Sequence, residues 1–248
     1  MRHIVITGAS SGFGAALAHS FYESGARLTL IARNEERLRE LGQKLSADWM
    51  VADVCTDYGT LVAQVERTYG AIDVWVNNAG IGEFDRVVDQ TTDVIEETMR
   101  LNATAPMLLA RDCARTMRRG STIINVCSQA AKVPTPKSAV YAGSKAALLQ
   151  FSNALRLELK PAGIHVLTVN PGPIATPFFL RADKSGRYEA SVKSIMLDPD
   201  RLAKRVVAAC EASKREVNAP WWMDLGAKLY AMCPVMFERL AKRGFDRK

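Results

Sequence analysis

The chain has 248 residues, 48% hydrophobic and 24% charged, which excludes a disordered or collagen-like protein and leaves enough apolar material for a sizeable core. Lys plus Arg total 33 against 26 Asp plus Glu, a formal +7 spread along the chain; this suits anionic ligands but, with no long basic block, does not define a nucleic-acid binder. No run reaches the ~18 apolar residues of a membrane span, no signal-peptide pattern precedes Ile4, and five cysteines without a C-x-x-C motif argue against a metal site or disulfide framework, so we expect a cytoplasmic protein with reduced thiols.

In chain order, strands and helices alternate. Ile4–Thr7 is a β-rich run, and 12–24 has helical spacing (Leu17, Phe21) ending before Gly25. Strand 27–32 precedes an amphipathic helix over 35–45 with Leu38, Leu41 and Leu45 on one stripe. Strand 49–52, helix 58–69 stopped by Gly70, and strand 74–77 follow. The stretch 92–118 reads as helix in two pieces around Asn102, because an Asn amid apolar helical residues suggests a kink or a functional amide. Strand 122–127, a long helix over 139–160 ended by Pro161 and Gly163, and strand 164–170 come next. Asp198 is placed to N-cap a helix that starts at Pro199 and runs to Ala212, before a last short strand at 216–218. Such alternation predicts right-handed crossovers and an α/β fold: one doubly wound, Rossmann-type parallel sheet of about seven strands with helices on both faces. No linker or repeat divides 1–248, so one domain is expected, with 221–248 as an appended amphipathic helical segment.

Thr7-Gly8-Ala9-Ser10-Ser11-Gly12-Phe13-Gly14 joins the first strand to the first helix. Gly8 permits a tight turn, Gly12 a close backbone approach to a pyrophosphate, and Gly14 close packing, while the helix N-terminus offers unpaired N–H groups. The G-x-x-x-G-x-G spacing differs from the commoner G-x-G-x-x-G. At the end of the second strand, where an acidic residue would accept from an adenosine ribose, Ala32 and Arg33 stand instead. A guanidinium suits a 2′-phosphate, which favours NADP over NAD. Asp53, followed by Val54, is placed either to accept from an adenine amine or to cap its own loop.

Tyr141 and Lys145 are four apart on the long helix and so share one face. The lysine charge would favour the tyrosinate and draw Tyr141 down toward neutrality, as proton exchange with an alcohol or ketone requires. Ser128 follows the fifth strand, where parallel sheets hold their ligands. Asn77-Asn78-Ala79-Gly80 ends the fourth strand, and Pro171-Gly172-Pro173-Ile174 forms a rigid turn after the sixth.

Together, T-G-x-x-x-G-x-G at 7–14, N-N-A-G at 77–80, Asn102, Ser128, Y-x-x-x-K at 141–145 and P-G-x-I at 171–174 resemble the single-domain short-chain dehydrogenase/reductases over about residues 2–218. The resemblance implies an NADP-dependent oxidoreductase passing hydride between a nicotinamide and a small-molecule carbonyl or secondary alcohol. It implies that Tyr141 exchanges the proton, Lys145 binds the nicotinamide ribose, Ser128 orients the carbonyl and Asn102 holds a relay water. Gly8, Ser10, Ser11, Gly12, Phe13 and Gly14 would cradle the phosphates, with Arg33, Asp53 and Val54 around the adenosine. Asn77, Ala79 and Gly80 would form the floor, and Pro171, Gly172, Ile174 and Thr176 would flank the nicotinamide. It also implies a homodimer or homotetramer through the long helices. The basic residue frequent in the family before the middle glycine is replaced by Ser11, leaving Arg33 as the main argument for NADP.

Two segments depart from the family. Residues 178–197 hold Phe178, Phe179 and Leu180, then Arg181, Lys184, Arg187 and Lys193; they read as a substrate-covering lid or as a solvated helical insertion. Residues 221–248 place Leu225, Leu229, Met232, Met236 and Leu240 three or four apart, broken by Pro234, with Arg239, Lys242, Arg243, Arg247 and Lys248 beyond. Packing on a core or partner subunit, capping the pocket, and peripheral membrane contact are the three readings. From other function classes, a non-catalytic dinucleotide sensor or scaffold and an epimerase or dehydratase remain as alternatives.

Overall fold

Apolar residues of period two sort themselves onto two faces of a sheet. In the computed structural model, which describes residues 1–183 and 186–240, Ile4 and Ile6 of β1 (His3–Thr7) join one buried cluster and Val5 the other. The same division holds along β2 (Arg27–Ala32), where Leu28 and Leu30 oppose Ile31, and along β4 (Val74–Asn77), where Val74 and Val76 oppose Trp75. The remaining strands are β3 (Asp48–Val51), β5 (Thr122–Val126), β6 (His165–Pro171) and β7 (Glu216–Ala219). All pair in parallel in the order β3-β2-β1-β4-β5-β6-β7, matching the predicted seven-stranded doubly wound sheet.

Helices α1 (Gly12–Glu23), α2 (Glu35–Leu45) and α9 (Pro199–Glu211) cover one face through Phe13, Leu17, Phe21, Leu38, Leu202 and Val206. Helices α3 (Tyr58–Tyr69), α5 (Ala105–Thr116) and α6 (Ala139–Leu159) cover the other through Leu61, Val65, Leu109, Cys113 and Leu155. Each such side chain, fully buried, contributes roughly 1.5–3 kcal/mol. The caps follow the sequence signals: Asn34 accepts from Arg37 N at 2.9 Å to start α2, and Asp198 accepts from Arg201 N at 2.8 Å to start α9 with Pro199 first.

The break expected at Asn102 is a turn of π-helix, Arg100–Thr104, between α4 (Thr92–Met99) and α5. Residues 178–197 fold as α7 (Phe178–Ala182), α8 (Arg187–Val192) and a short 3-10 turn; Lys184 of the expected lid lies outside the described residues. The C-terminal segment forms α10 (Trp221–Met232) and α11 (Pro234–Leu240), so Pro234 opens the second helix and does not interrupt one. Lys242, Arg243, Arg247 and Lys248 lie outside the described residues.

Candidate active site

In a doubly wound sheet the strand order reverses between β1 and β4, and the crevice beyond their carboxyl ends takes ligands. A cleft of about 1280 Å³ lies there. That exceeds the roughly 300–1,000 Å³ of a pocket for one small ligand and suffices for a dinucleotide together with a second molecule.

The β1–α1 loop forms one wall. Gly8 has φ +66°, and a Cβ there would come within 2.8 Å of Ala79 Cα. A Cβ on Gly14 would overlap Gly8 O and lie 2.6 Å from Asn78 Nδ2. Asn78 explains this closeness, because its amide donates to Thr7 O at 3.0 Å and Gly8 O at 3.3 Å and so ties β4 to the loop. Ser11 stands at the N-cap of α1 without a side-chain cap, leaving the first amides of the helix for an anion. Gly8, Ser10, Ser11, Gly12, Phe13 and Gly14 all line the cleft, so its loop and helix terminus fit a pyrophosphate.

Beyond the loop, Arg33 and Asp53 face each other. Arg33 Nη1 is 3.8 Å from Asp53 Oδ2, a loose exposed pair worth little, which leaves the guanidinium free to meet a phosphate. Asp53 serves its own loop as well, with Oδ1 accepting from Cys55 N at 2.9 Å. Val54 lines the cleft beside it.

At the other end, Ser128, Tyr141 and Lys145 converge. Ser128 follows β5, and its Oγ accepts from Ala130 N at 3.1 Å. Tyr141 is half-buried in the cleft wall, and desolvation pushes its phenol up to about 12, against a hydrogen bond from the Ser128 hydroxyl that pulls it down. Burial likewise brings Lys145 down to about 8. The Lys145 ammonium donates to Val126 O at 2.9 Å. This corrects the expectation of a tyrosine drawn toward neutrality. The lysine is turned to a strand carbonyl, and desolvation of the phenol dominates.

Asn102 is wholly buried and does not line the cleft. Its amide clasps the loop after β4, accepting from Ile81 N at 2.9 Å and donating to Ile81 O at 2.7 Å and Ser144 Oγ at 3.0 Å. Asn77 does not reach the cleft either: its side chain accepts from Trp75 Nε1 at 2.7 Å and donates to Asn125 Oδ1 at 2.8 Å. Asn78, Ala79 and Gly80 take the lining position, with Pro171, Gly172, Ile174 and Thr176 opposite.

The sequence reading passed over several lining residues. Gln129 donates to Asn170 O at 2.8 Å while its buried Oε1 has no partner among the described residues. Phe84 stacks edge-on against Tyr141 (centroids 5.8 Å apart) and Tyr188 (5.0 Å). Phe178 lies 5.8 Å from the Tyr141 ring, so the residues read as a lid wall the phenol with aromatics. Trp222, Met223, Gly226 and Phe237 of the C-terminal helices also line the cleft, as the capping reading anticipated.

Comparison with known proteins agrees with this geometry. The short chain dehydrogenase profile matches residues 2–185, and the chain belongs to that family. It is 32% identical over 257 aligned positions to an uncharacterized oxidoreductase, YxnA, of Bacillus subtilis, covering 98% of this chain and 71% of that one. It is 32% identical to a bovine dehydrogenase/reductase, SDR family member 7B (Bos taurus), covering 96% of this chain and 79% of the relative. A short-chain dehydrogenase from Sphingobium yanoikuyae, solved in complex with NADPH, superposes with a TM-score of 0.78 at 28% identity, covering 94% of this chain and 95% of that one.

Proposed function

We propose that the protein is an NADP(H)-dependent oxidoreductase that passes a hydride between the cofactor and a small-molecule carbonyl or secondary alcohol. The observation that carries this reading is the convergence of Ser128, Tyr141 and Lys145 at one end of a cleft whose other end presents a glycine loop, a helix N-terminus and an exposed Arg33. The NADPH held by a structural relative supports the cofactor. The bound nicotinamide supplies the hydride.

The protein's own residues do the rest. Ser128 donates to the carbonyl oxygen and stabilises the charge that develops there. Tyr141 then gives its proton to that oxygen. A phenol is protonated at neutral pH, the form that acts as the acid when a carbonyl is reduced. Lys145 binds the nicotinamide ribose and places positive charge beneath the reacting pair. Asn102 acts as a positioning residue through the Ile81 loop. Gly8, Ser10, Ser11, Gly12, Phe13 and Gly14 hold the phosphates, Arg33 the 2′-phosphate, and Asp53 and Val54 the adenine. Ala79, Gly80, Pro171, Gly172, Ile174 and Thr176 enclose the nicotinamide.

The reading includes residues 1–248 working as one domain in the cytoplasm. It also includes assembly into a homodimer or homotetramer through the long helices, where Leu157 of α6 is 70% exposed. The test is Tyr141→Phe with NADPH and a panel of ketones and aldehydes. Turnover should fall about 10²–10⁴-fold while NADPH affinity stays within about twofold. A variant that keeps most of its rate contradicts the assignment of the acid.

A further inference from the structure

The two ends of a glutamine amide differ: the nitrogen only donates and the oxygen only accepts. Gln129 is 7% exposed, and its Nε2 donates to Asn170 O at 2.8 Å. A backbone carbonyl can only accept, so this contact fixes which way the amide is turned and leaves Oε1 as its other end. That oxygen has no partner among the described residues. Donors of the adjoining turn and strand are committed elsewhere. Lys132 Nζ donates to Glu216, Asn218 and Asp224, Asn170 Nδ2 to Glu216 and Asn218, and Ala130 N to Ser128 Oγ. A buried acceptor left without a donor costs more than a typical hydrogen bond contributes, so its persistence calls for a reason.

Its location supplies one. Four buried side-chain atoms among the described residues lack a partner: Gln90 Oε1, Thr122 Oγ1, Gln129 Oε1 and Asn170 Oδ1. Of these four residues, Gln129 is the one that lines the cleft. It directly follows Ser128, whose hydroxyl meets Tyr141. Consecutive Cα atoms are about 3.8 Å apart, so a molecule whose carbonyl meets Ser128 lays its first few carbons beside Gln129. Helix α10 closes this corner, packing on the turn Gln129–Ala131 and bringing Met223 against Gly172, where a Cβ would meet its sulfur at 2.8 Å.

Charge in the cleft comes from other elements. Asp93, Glu96 and Glu97 of α4 line it, with Arg100 after them, and Glu97 is held by Arg181 at 2.6 Å. Gln129 instead offers a neutral acceptor beside the reacting groups. The Lys145 ammonium at that end opposes a second cation, so the matching donor is a hydroxyl.

We propose that Gln129 is a specificity-determining residue, and that its Oε1 accepts a hydrogen bond from a hydroxyl that the substrate carries within about three carbons of its carbonyl. The substrate class is then the hydroxyketones, with the corresponding diols in the reverse direction. The inference rests on the oxidoreductase reading above and narrows it.

The experiment gives the full chain NADPH and ketones bearing a hydroxyl on the first, second or third carbon from the carbonyl. Each is paired with the analogue that carries a methyl group in place of the hydroxyl. For at least one pair, kcat/KM should favour the hydroxyketone by about tenfold or more, because the methyl analogue leaves Oε1 unpaired. In Gln129→Met, similar in size but without the acceptor, that ratio should fall to about one. A general loss of rate cancels within each ratio, and the intrinsic reactivity of the hydroxyketone cancels between the two proteins. Thermal melting checks folding, and Gln129→Leu serves as the second variant. A wild type that turns over the panel without preferring any hydroxyketone overturns the proposal and leaves the oxidoreductase reading intact. So does a preference that survives in the variants, which would assign the hydroxyl to another group and Oε1 to a buried water. Turnover of no ketone at all overturns both readings together.

Discussion

Tyr141 and Lys145 are each moved by burial, the phenol up to about 12 and the ammonium down to about 8. Tyr141 thus stays protonated through the neutral range. Lys145 loses its charge as pH rises through about 8, below the ordinary lysine value. We therefore predict that the rate of carbonyl reduction falls on the alkaline side with an apparent pKa near 8, and that Lys145→Arg, which keeps its charge, abolishes this limb even if the variant is slower. An unchanged limb in that variant would assign it to another group. Much of this chemistry is legible in the sequence, because a four-residue spacing on a helix fixes a shared face whatever the surroundings. What the spacing does not carry is the balance between desolvation and charge, which depends on Val126 O capturing the ammonium. Asn77 is a different failure. It lies two residues after the buried Trp75 in β4 and so shares its inward face, a period-two signal that points away from the cleft and toward Asn78.

At the scale of elements, one half-buried cation links three of them. Lys132, on the turn after Ser128, donates to Glu216 Oε2 at 3.2 Å and Asn218 Oδ1 at 2.9 Å of β7 and to Asp224 Oδ1 at 2.6 Å of α10. Asn170 of β6 donates to the same Glu216 and Asn218 oxygens at 3.2 and 2.9 Å. Burial acts to raise the Asp224 carboxyl, but the hydrogen bonds and charges of Lys132 and Lys228 prevail and hold it below the usual range. Removing the central cation leaves Asp224 to the exposed Lys228 alone and takes a charged donor from Glu216 and Asn218. Lys132→Met should therefore cost roughly 1.5–3 kcal/mol in urea unfolding and raise amide exchange in α10 before the sheet. A loss under about 1 kcal/mol would mean that α10 is held by packing alone. Helices bounded by local chemistry, such as α2 with Asn34 and α9 with Asp198–Pro199, were legible to within a residue or two. The orientation of α10 was not. Spacing reveals that a stripe exists, but the direction it faces is set by Lys132, which is 92 residues away from Asp224.

For the whole molecule, the alternation of strands and helices was enough to predict the parallel sheet and the place of its crevice. Which side chains fill that crevice was only half legible. Phe84, Gln129, Trp222 and Phe237 meet there from distant parts of the chain and carry no motif of their own. The cofactor end depends on a single exposed guanidinium, loosely paired with Asp53 at 3.8 Å. The direct test of the whole account is calorimetric titration of the protein with NADPH and with NADH at moderate salt, repeated on Arg33→Asp. A charge-assisted contact of about 1.5–3 kcal/mol predicts NADPH binding some 10–100-fold tighter than NADH, and most of that preference lost in the variant. Equal or tighter binding of NADH by the native chain would contradict the NADP assignment, and binding of neither would contradict the oxidoreductase reading itself.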